Sequence, residues 1–260
     1  MTQKRGNLVD AHAHMCDSRF DHDRETVLTR ARQAGVSGII AVGETLADAR
    51  INLELSKRHP ICRPAAGLYP THLDLDAAAE VAAFIRHNHQ RLVGIGEVGL
   101  DYWAVTDAAQ KEIQREIFQQ FIELSNELNL PLNVHSRSAG RHAIALLLES
   151  NARRVQLHAF DGKYGSALPA VDAGYFFSIP PSVIRSRQKQ KLVKQLPLAC
   201  LLVESDSPVL GPDPGMRNEP ANISVAVATI ARIKTLDPTA VVEAIAENCK
   251  RLYPTVKFRS

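Results

Sequence analysis

The sequence predicts one (β/α)8 barrel, a single TIM-barrel domain over residues 1–260 with its site at the C-terminal face of the strands. Eight short runs rich in Val, Ile and Leu alternate with longer stretches of helical period. Their ends recur about every 28 residues between His12 and Asp206, close to the ~30 residues of a β-α-β unit. The runs are apolar nearly throughout, as strands buried on both faces of a parallel sheet must be. A length of 260 residues matches the roughly 250 that such a barrel takes, and no low-complexity run or Gly/Ser linker divides the chain.

In order, the strand candidates are NLVDAH (7–12), VSGIIAVG (36–43), ICRPAAGLYP (61–70), LVGIGEVGLD (92–101), LPLNVHSR (130–137), RVQLHAF (154–160), GYFFSIPP (174–181) and CLLVESDSP (200–208). Helical stretches lie between them. The clearest runs from Ala108 to Asn129, where Ile113, Ile117, Phe118, Phe121, Leu124 and Leu128 sort away from Lys111, Glu112, Arg115 and Glu116.

Composition narrows the class. The chain is 45% hydrophobic with a net charge of +3, which permits an anionic substrate without requiring one. No apolar stretch approaches the ~18 residues of a membrane span, and no apolar segment follows Lys4 and Arg5, so no membrane association is expected. Cys16, Cys62, Cys200 and Cys249 are scattered without a C-x-x-C pair, which fits reduced thiols and a cytoplasmic protein. Nothing in the sequence calls for an obligate protein partner.

The chemistry lies at the strand ends. His12 and His14 close run one, Glu97 falls near the end of run four, His135 and His158 in runs five and six, and Asp206 in run eight. In a barrel these positions share the face that carries active sites. An H-x-H pair alone is weak, because 10 histidines in 260 residues produce ~0.4 such pairs by chance. On a strand, however, alternate residues point the same way, so His12 and His14 can grip one ion together. Glu97 is costly to bury unpaired, and a carboxylate there wants a cation. Taken singly, His135 and His158 fit a hydrogen-bonded core histidine as well as a ligand, and Asp206 equally fits a cap on the turn before Pro208.

DAHAH, GIGEVGLDY, NVHSR, LHAF and ESDSP, in this order and spacing, resemble the motif series of the TatD family of metal-dependent deoxyribonucleases, in the amidohydrolase superfamily. HSRSAGRH, AGYFFSIPPSVIRS, QKQKLVKQLPL and RNEPANIS resemble the TatD-domain subgroup that also occurs in animals. The resemblance implies a barrel holding two divalent cations. His12, His14 and Asp206 would hold one, His135 and His158 the other, and Glu97 would bridge them; Asp206 and Glu97 are also the expected catalytic carboxylates. Mixed His and carboxylate ligation suits Zn, Mn, Fe or Co, with Mg a candidate for the weaker position. Two departures stand out. The family's Gly-Val-His-Pro or Gly-Ile-His-Pro turn is here Gly67-Leu68-Tyr69-Pro70, and Ser138 stands where many members have Asp.

Expected substrate contacts are Arg137 after strand five, Lys163 after LHAFDG, and Arg185 in the first turn or two of the helix after strand seven. Tyr69, His72 and Tyr102, the last with Trp103 as a stacking pair, complete the set. The run Arg187, Lys189, Lys191 and Lys194 is taken as a solvated basic face. Three functions fit. The leading one is a metal-dependent phosphodiesterase, exonuclease-like on single-stranded DNA ends. The second is a metal-dependent ester or amide hydrolase, such as an aminoacyl-tRNA deacylase or a cyclic-amide hydrolase. The third is a metal-bound module without catalysis.

Overall fold

In the computed structural model, which describes residues 8–254 and 256, the eight predicted runs become one parallel sheet in sequential order. The strands are β1 (Leu8–Ala13), β2 (Val36–Ala41), β3 (Cys62–Ala66), β4 (Gly94–Gly99), β5 (Leu132–His135), β6 (Val155–His158), β7 (Phe176–Ile179) and β8 (Leu201–Val203). From β2 to β8 each is shorter than its apolar run, because the flanking residues continue into loops at the barrel's two ends, whereas β1 keeps the length of its run and ends one residue later. Asn7, Lys4 and Arg5 lie outside the described residues. The helices are α1 (Arg24–Gln33), α2 (Leu46–Arg58), α3 (Leu75–Asn88), α4 (Ala108–Leu128), α5 (Gly140–Glu149), α6 (Tyr164–Asp172), α7 (Arg187–Gln195), α8 (Ile223–Lys234) and α9 (Pro238–Leu252). The expected long helix is α4, capped by the Asp107 side chain and ended by Asn129 at φ 55°. No helix among the described residues is long and apolar enough to cross a membrane.

The seam between β8 and β1 is closed by residues just past β8. Asp206 N donates to His12 O at 2.9 Å, and His14 N donates to Ser207 O at 2.8 Å. The Asp10 carboxylate joins them by accepting from Ser205 N at 2.8 Å and His12 N at 3.3 Å. Burial pushes Asp10 up to about 8, outweighing those hydrogen bonds, so it is mostly protonated at neutral pH.

Two apolar clusters divide the work. The larger fills the layer between strands and helices, with Leu28, Ile39, Phe118, Phe121, Phe160 and Phe177 among its fully buried side chains. The smaller joins Val9, Ala11, Ile40, Ala65 and Leu202 to Cys249, Leu252 and Tyr253 at the end of α9. Tyr253 lies beside Gly94, the first residue of β4, and its hydroxyl donates to Gln156 Oε1 at 2.9 Å. The N-terminal end of the barrel is therefore plugged, and the C-terminal end is left for chemistry.

Gly99, where β4 ends, has φ 144°, and a Cβ there would collide with the His135 carbonyl. Gly99→Ala should therefore cost at least about 2 kcal/mol of stability, read as a lowered midpoint in thermal unfolding. An unchanged midpoint would show that the β4–β5 contact yields readily.

Candidate metal centre

Four histidines and two carboxylates converge at the C-terminal end of the barrel. His12 Nε2 lies 3.2 Å from His14 Nε2, 3.6 Å from Glu97 Oε2 and 3.5 Å from Asp206 Oδ1. His14 Nε2 lies 3.3 Å from Glu97 Oε2 and 3.6 Å from Asp206 Oδ1. Ligands about 2.1 Å from a tetrahedral cation stand roughly 3.4 Å apart, so the two histidine nitrogens lie at ligand spacing from each other and from each carboxylate. The other Glu97 oxygen, Oε1, lies 2.6 Å from His135 Nδ1 and 3.3 Å from His158 Nε2, a second donor group sharing the same carboxylate. His12 and His158 stack at 3.9 Å between ring centroids, which ties the two groups together.

Each imidazole has its outer nitrogen aimed at an oxygen. Asn133 Nδ2 donates to Ala11 O at 2.9 Å, so Asn133 Oδ1 is the acceptor for His12 Nδ1–H at 2.8 Å. That leaves the His12 Nε2 lone pair facing the cluster. His135 Nε2 faces Asp101 Oδ2 at 3.2 Å, His158 Nδ1 faces Glu204 Oε2 at 3.4 Å, and His14 Nδ1 lies 4.0 Å from Glu44 Oε1. Glu204 is itself held, accepting from Ala159 N at 2.8 Å and Ser178 Oγ at 2.5 Å. Rings oriented in this way by carboxylates and amides are what histidine ligation of a metal requires.

The electrostatics ask for positive charge between the donors. Burial, reinforced by the nearby His158, lowers His12 to about 3. Burial also works against His14, but hydrogen bonds to Asp206 and Glu97 outweigh it and raise the ring to about 10. Burial opposes ionisation of Glu97, yet His158, His135 and His12 hold its carboxyl well below the usual range. Positive charge is therefore favoured between these carboxylates, where a divalent cation would satisfy all four groups.

The six predicted ligands, His12, His14, Glu97, His135, His158 and Asp206, are brought together at one end. Strand-end spacing accounts for His135 and His158, the last residues of β5 and β6. Asp206 sits three residues beyond β8 at φ 51°, in the left-handed region that Asn and Asp tolerate best.

The predicted substrate contacts are more scattered. Arg137 is exposed, with its guanidinium 3.7 Å from the Trp103 ring centroid. Tyr69 packs against His135, its hydroxyl 3.4 Å from Asp101 Oδ2. His72 is exposed. Lys163 is exposed at the start of α6. Arg185 lies before α7 rather than in its first turns, donating to Gly211 O at 3.3 Å. Tyr102 is half-buried between Lys111, 4.9 Å over its ring, and His142.

Sequence reasoning missed the outer groups Asn133, Asp101, Glu204 and Glu44. A signal was present for two of them: Asn133/His135 and Glu204/Asp206 are spaced by two, the period that places side chains on one face of a strand. Lys189 corrects the expectation of a uniformly solvated run. Its Nζ donates to Ala159 O at 2.9 Å, and burial lowers it, opposed by Glu204, Asp161 and Asp206. Arg187, Lys191 and Lys194 are exposed as expected.

A nearly closed parallel barrel with a His and carboxylate cluster at its C-terminal mouth is the architecture of a class of metal-dependent hydrolases. Within that class the chain belongs to the family of TatD-related DNases, whose pattern matches residues 9–254. Human Deoxyribonuclease TATDN3 is 45% identical over 96% of this chain and 96% of its own length. A metal-dependent hydrolase of Bacillus subtilis, YabD, is 32% identical over 95% of this chain and 98% of its own length. The crystal structure of the Escherichia coli TatD homologue YJJV superposes with a TM-score of 0.88 at 25% identity, covering 96% of this chain and 99% of that one.

Proposed function

We propose that this chain is a divalent-metal-dependent phosphodiesterase that trims single-stranded DNA ends, with two cations sharing Glu97. One observation carries the reading: the two oxygens of Glu97 face separate donor groups, His12, His14 and Asp206 on one side and His135 and His158 on the other. Nitrogen and oxygen donors in this mixture suit Zn, Mn, Fe or Co, with Mg at the weaker position. When bound, such a pair supplies Lewis acidity that makes water a nucleophile near neutral pH and stabilises charge on the attacking and leaving oxygens.

The chain's own groups do the rest. Asp206, at the rim, accepts the proton of the attacking water and returns it to the leaving oxygen. Arg137, Lys163 and Lys189 lend positive charge to a mouth that also holds several carboxylates, and so attract phosphate. The plugged N-terminal end means that substrate enters from one side only, which suits a strand end more than a continuous duplex. We place the protein in the cytoplasm, since its four cysteines are buried and free.

The deciding experiment gives purified protein with Mn, Zn or Mg end-labelled single-stranded DNA, RNA, a phosphodiester dye and an aminoacyl ester in parallel. Shortening of the DNA supports the reading. Cleavage of the ester alone would replace it with a deacylase, and inertness towards all four would leave a non-catalytic metal-bound module. Asn133→Ala should lower metal affinity by about 10- to 100-fold by releasing the His12 ring, measured by chelator competition. Unchanged affinity would remove Asn133 from the centre.

A further inference from the structure

Trp103 is the chain's one tryptophan and is 62% exposed, an unusual position for so large an apolar side chain. It stands on the loop between β4 and α4, at the mouth. Its backbone N donates to Asp101 Oδ1 at 2.9 Å, and Asp101 Oδ2 lies 3.2 Å from Nε2 of His135, whose other nitrogen faces Glu97. Arg137, two residues after His135, lies against the indole. The two loops are also joined by Tyr102 N donating to Arg137 O at 3.0 Å. Among the described residues no other cation or aromatic ring contacts Trp103, so one part of the indole is held by a guanidinium and much of the rest is open to solvent. Tyr102 has no comparable opening, because Lys111 and His142 occupy its surroundings.

We propose that Trp103, stiffened by Arg137, is a stacking platform for an unpaired nucleobase of the strand that enters the mouth. The proposal rests on the nuclease reading above and names what selects the substrate. An aromatic face tolerates any base, because every base has a π-face, and it excludes duplex, whose base faces are already stacked. Arg137 contributes twice: its guanidinium stacks on the indole, and its edge N–H groups remain free for a flanking phosphate. Trp103 is a specificity residue here and takes no part in bond cleavage.

The single tryptophan makes the test direct. Metal-loaded protein is titrated with a hydrolysis-resistant phosphorothioate hexathymidylate, and separately with the same backbone carrying abasic residues, while indole fluorescence is followed. The expected result is quenching by the first and none by the second, with about 5- to 150-fold tighter binding of the base-bearing chain. In Trp103→Ala that preference should fall to near unity by anisotropy of labelled chains, whereas Trp103→Phe should keep part of it. Equal affinity for both chains with unquenched fluorescence would overturn the platform. If such a protein still shortens single-stranded DNA, the nuclease reading survives without it. Quenching in a protein that cleaves no phosphodiester would sink the nuclease reading and leave the base platform standing.

Discussion

Asp206→Asn should lower turnover on a phosphodiester by about 10²–10⁴-fold while the protein stays folded and keeps most of its metal. Asp206 is held at φ 51°, which Asn accepts as readily as Asp, and its backbone N–H bond to His12 O does not involve the side chain. Asn keeps one ligating oxygen, and His12, His14 and Glu97 still surround it. What is lost is a carboxylate able to take a proton near neutral pH. Burial works against its ionisation, yet the hydrogen bond from His14 and the charge of His158 hold the Asp206 carboxyl below its usual range, so it is ionised at neutral pH. Turnover and metal stoichiometry measured on one preparation decide the matter. Full metal with near-wild-type turnover would rule out Asp206 as the base.

Glu97 should matter more. Glu97→Ala removes the carboxylate that faces both donor groups, and turnover should fall on the order of 10⁴-fold or more, together with loss of bound metal. The physical reason is proximity: the imidazoles of His158, His135 and His12 all face this buried carboxylate, and without it they face one another with nothing between them. Glu97→Asp is the sharper variant. One methylene shorter, it should serve one donor group and not both, giving about one cation per chain where two are expected of the wild type. Elemental analysis reads the result. Two cations per chain in Glu97→Ala would show that the histidines suffice and that Glu97 does not bridge.

Much of this centre was legible in the residues themselves. The spacing of two in DAHAH brings His12 and His14 to one cluster at the end of β1, and the same spacing recurs in NVH and ESD, where it marks Asn133 with His135 and Glu204 with Asp206. The eight apolar runs and their recurrence every ~28 residues carried the barrel and its mouth. Other features were not legible. Lys189 reads as one basic residue among four, and only the rotation of α7 against the barrel turns it alone towards Ala159 while Arg187, Lys191 and Lys194 stay in solvent. Tyr102 and Trp103 are neighbours of similar chemistry, and the packing of His142 and Lys111 decides that the second is the open one.

By itself, then, the sequence determined the fold class, the end of the barrel that carries the site and the residues that meet there, because strand period and strand ends are local properties. Tertiary structure alone decided which nitrogen each imidazole presents, which cations reach the mouth and which aromatic ring is left exposed. Those depend on partners far apart in the chain: the acceptor that sets the His12 tautomer is Asn133, 121 residues away, and it arrives only when the parallel register closes β1 against the far strands. A hydrogen bond or a buried charge is settled by what stands within a few ångströms, and in a barrel that neighbourhood is assembled from all eight strands at once.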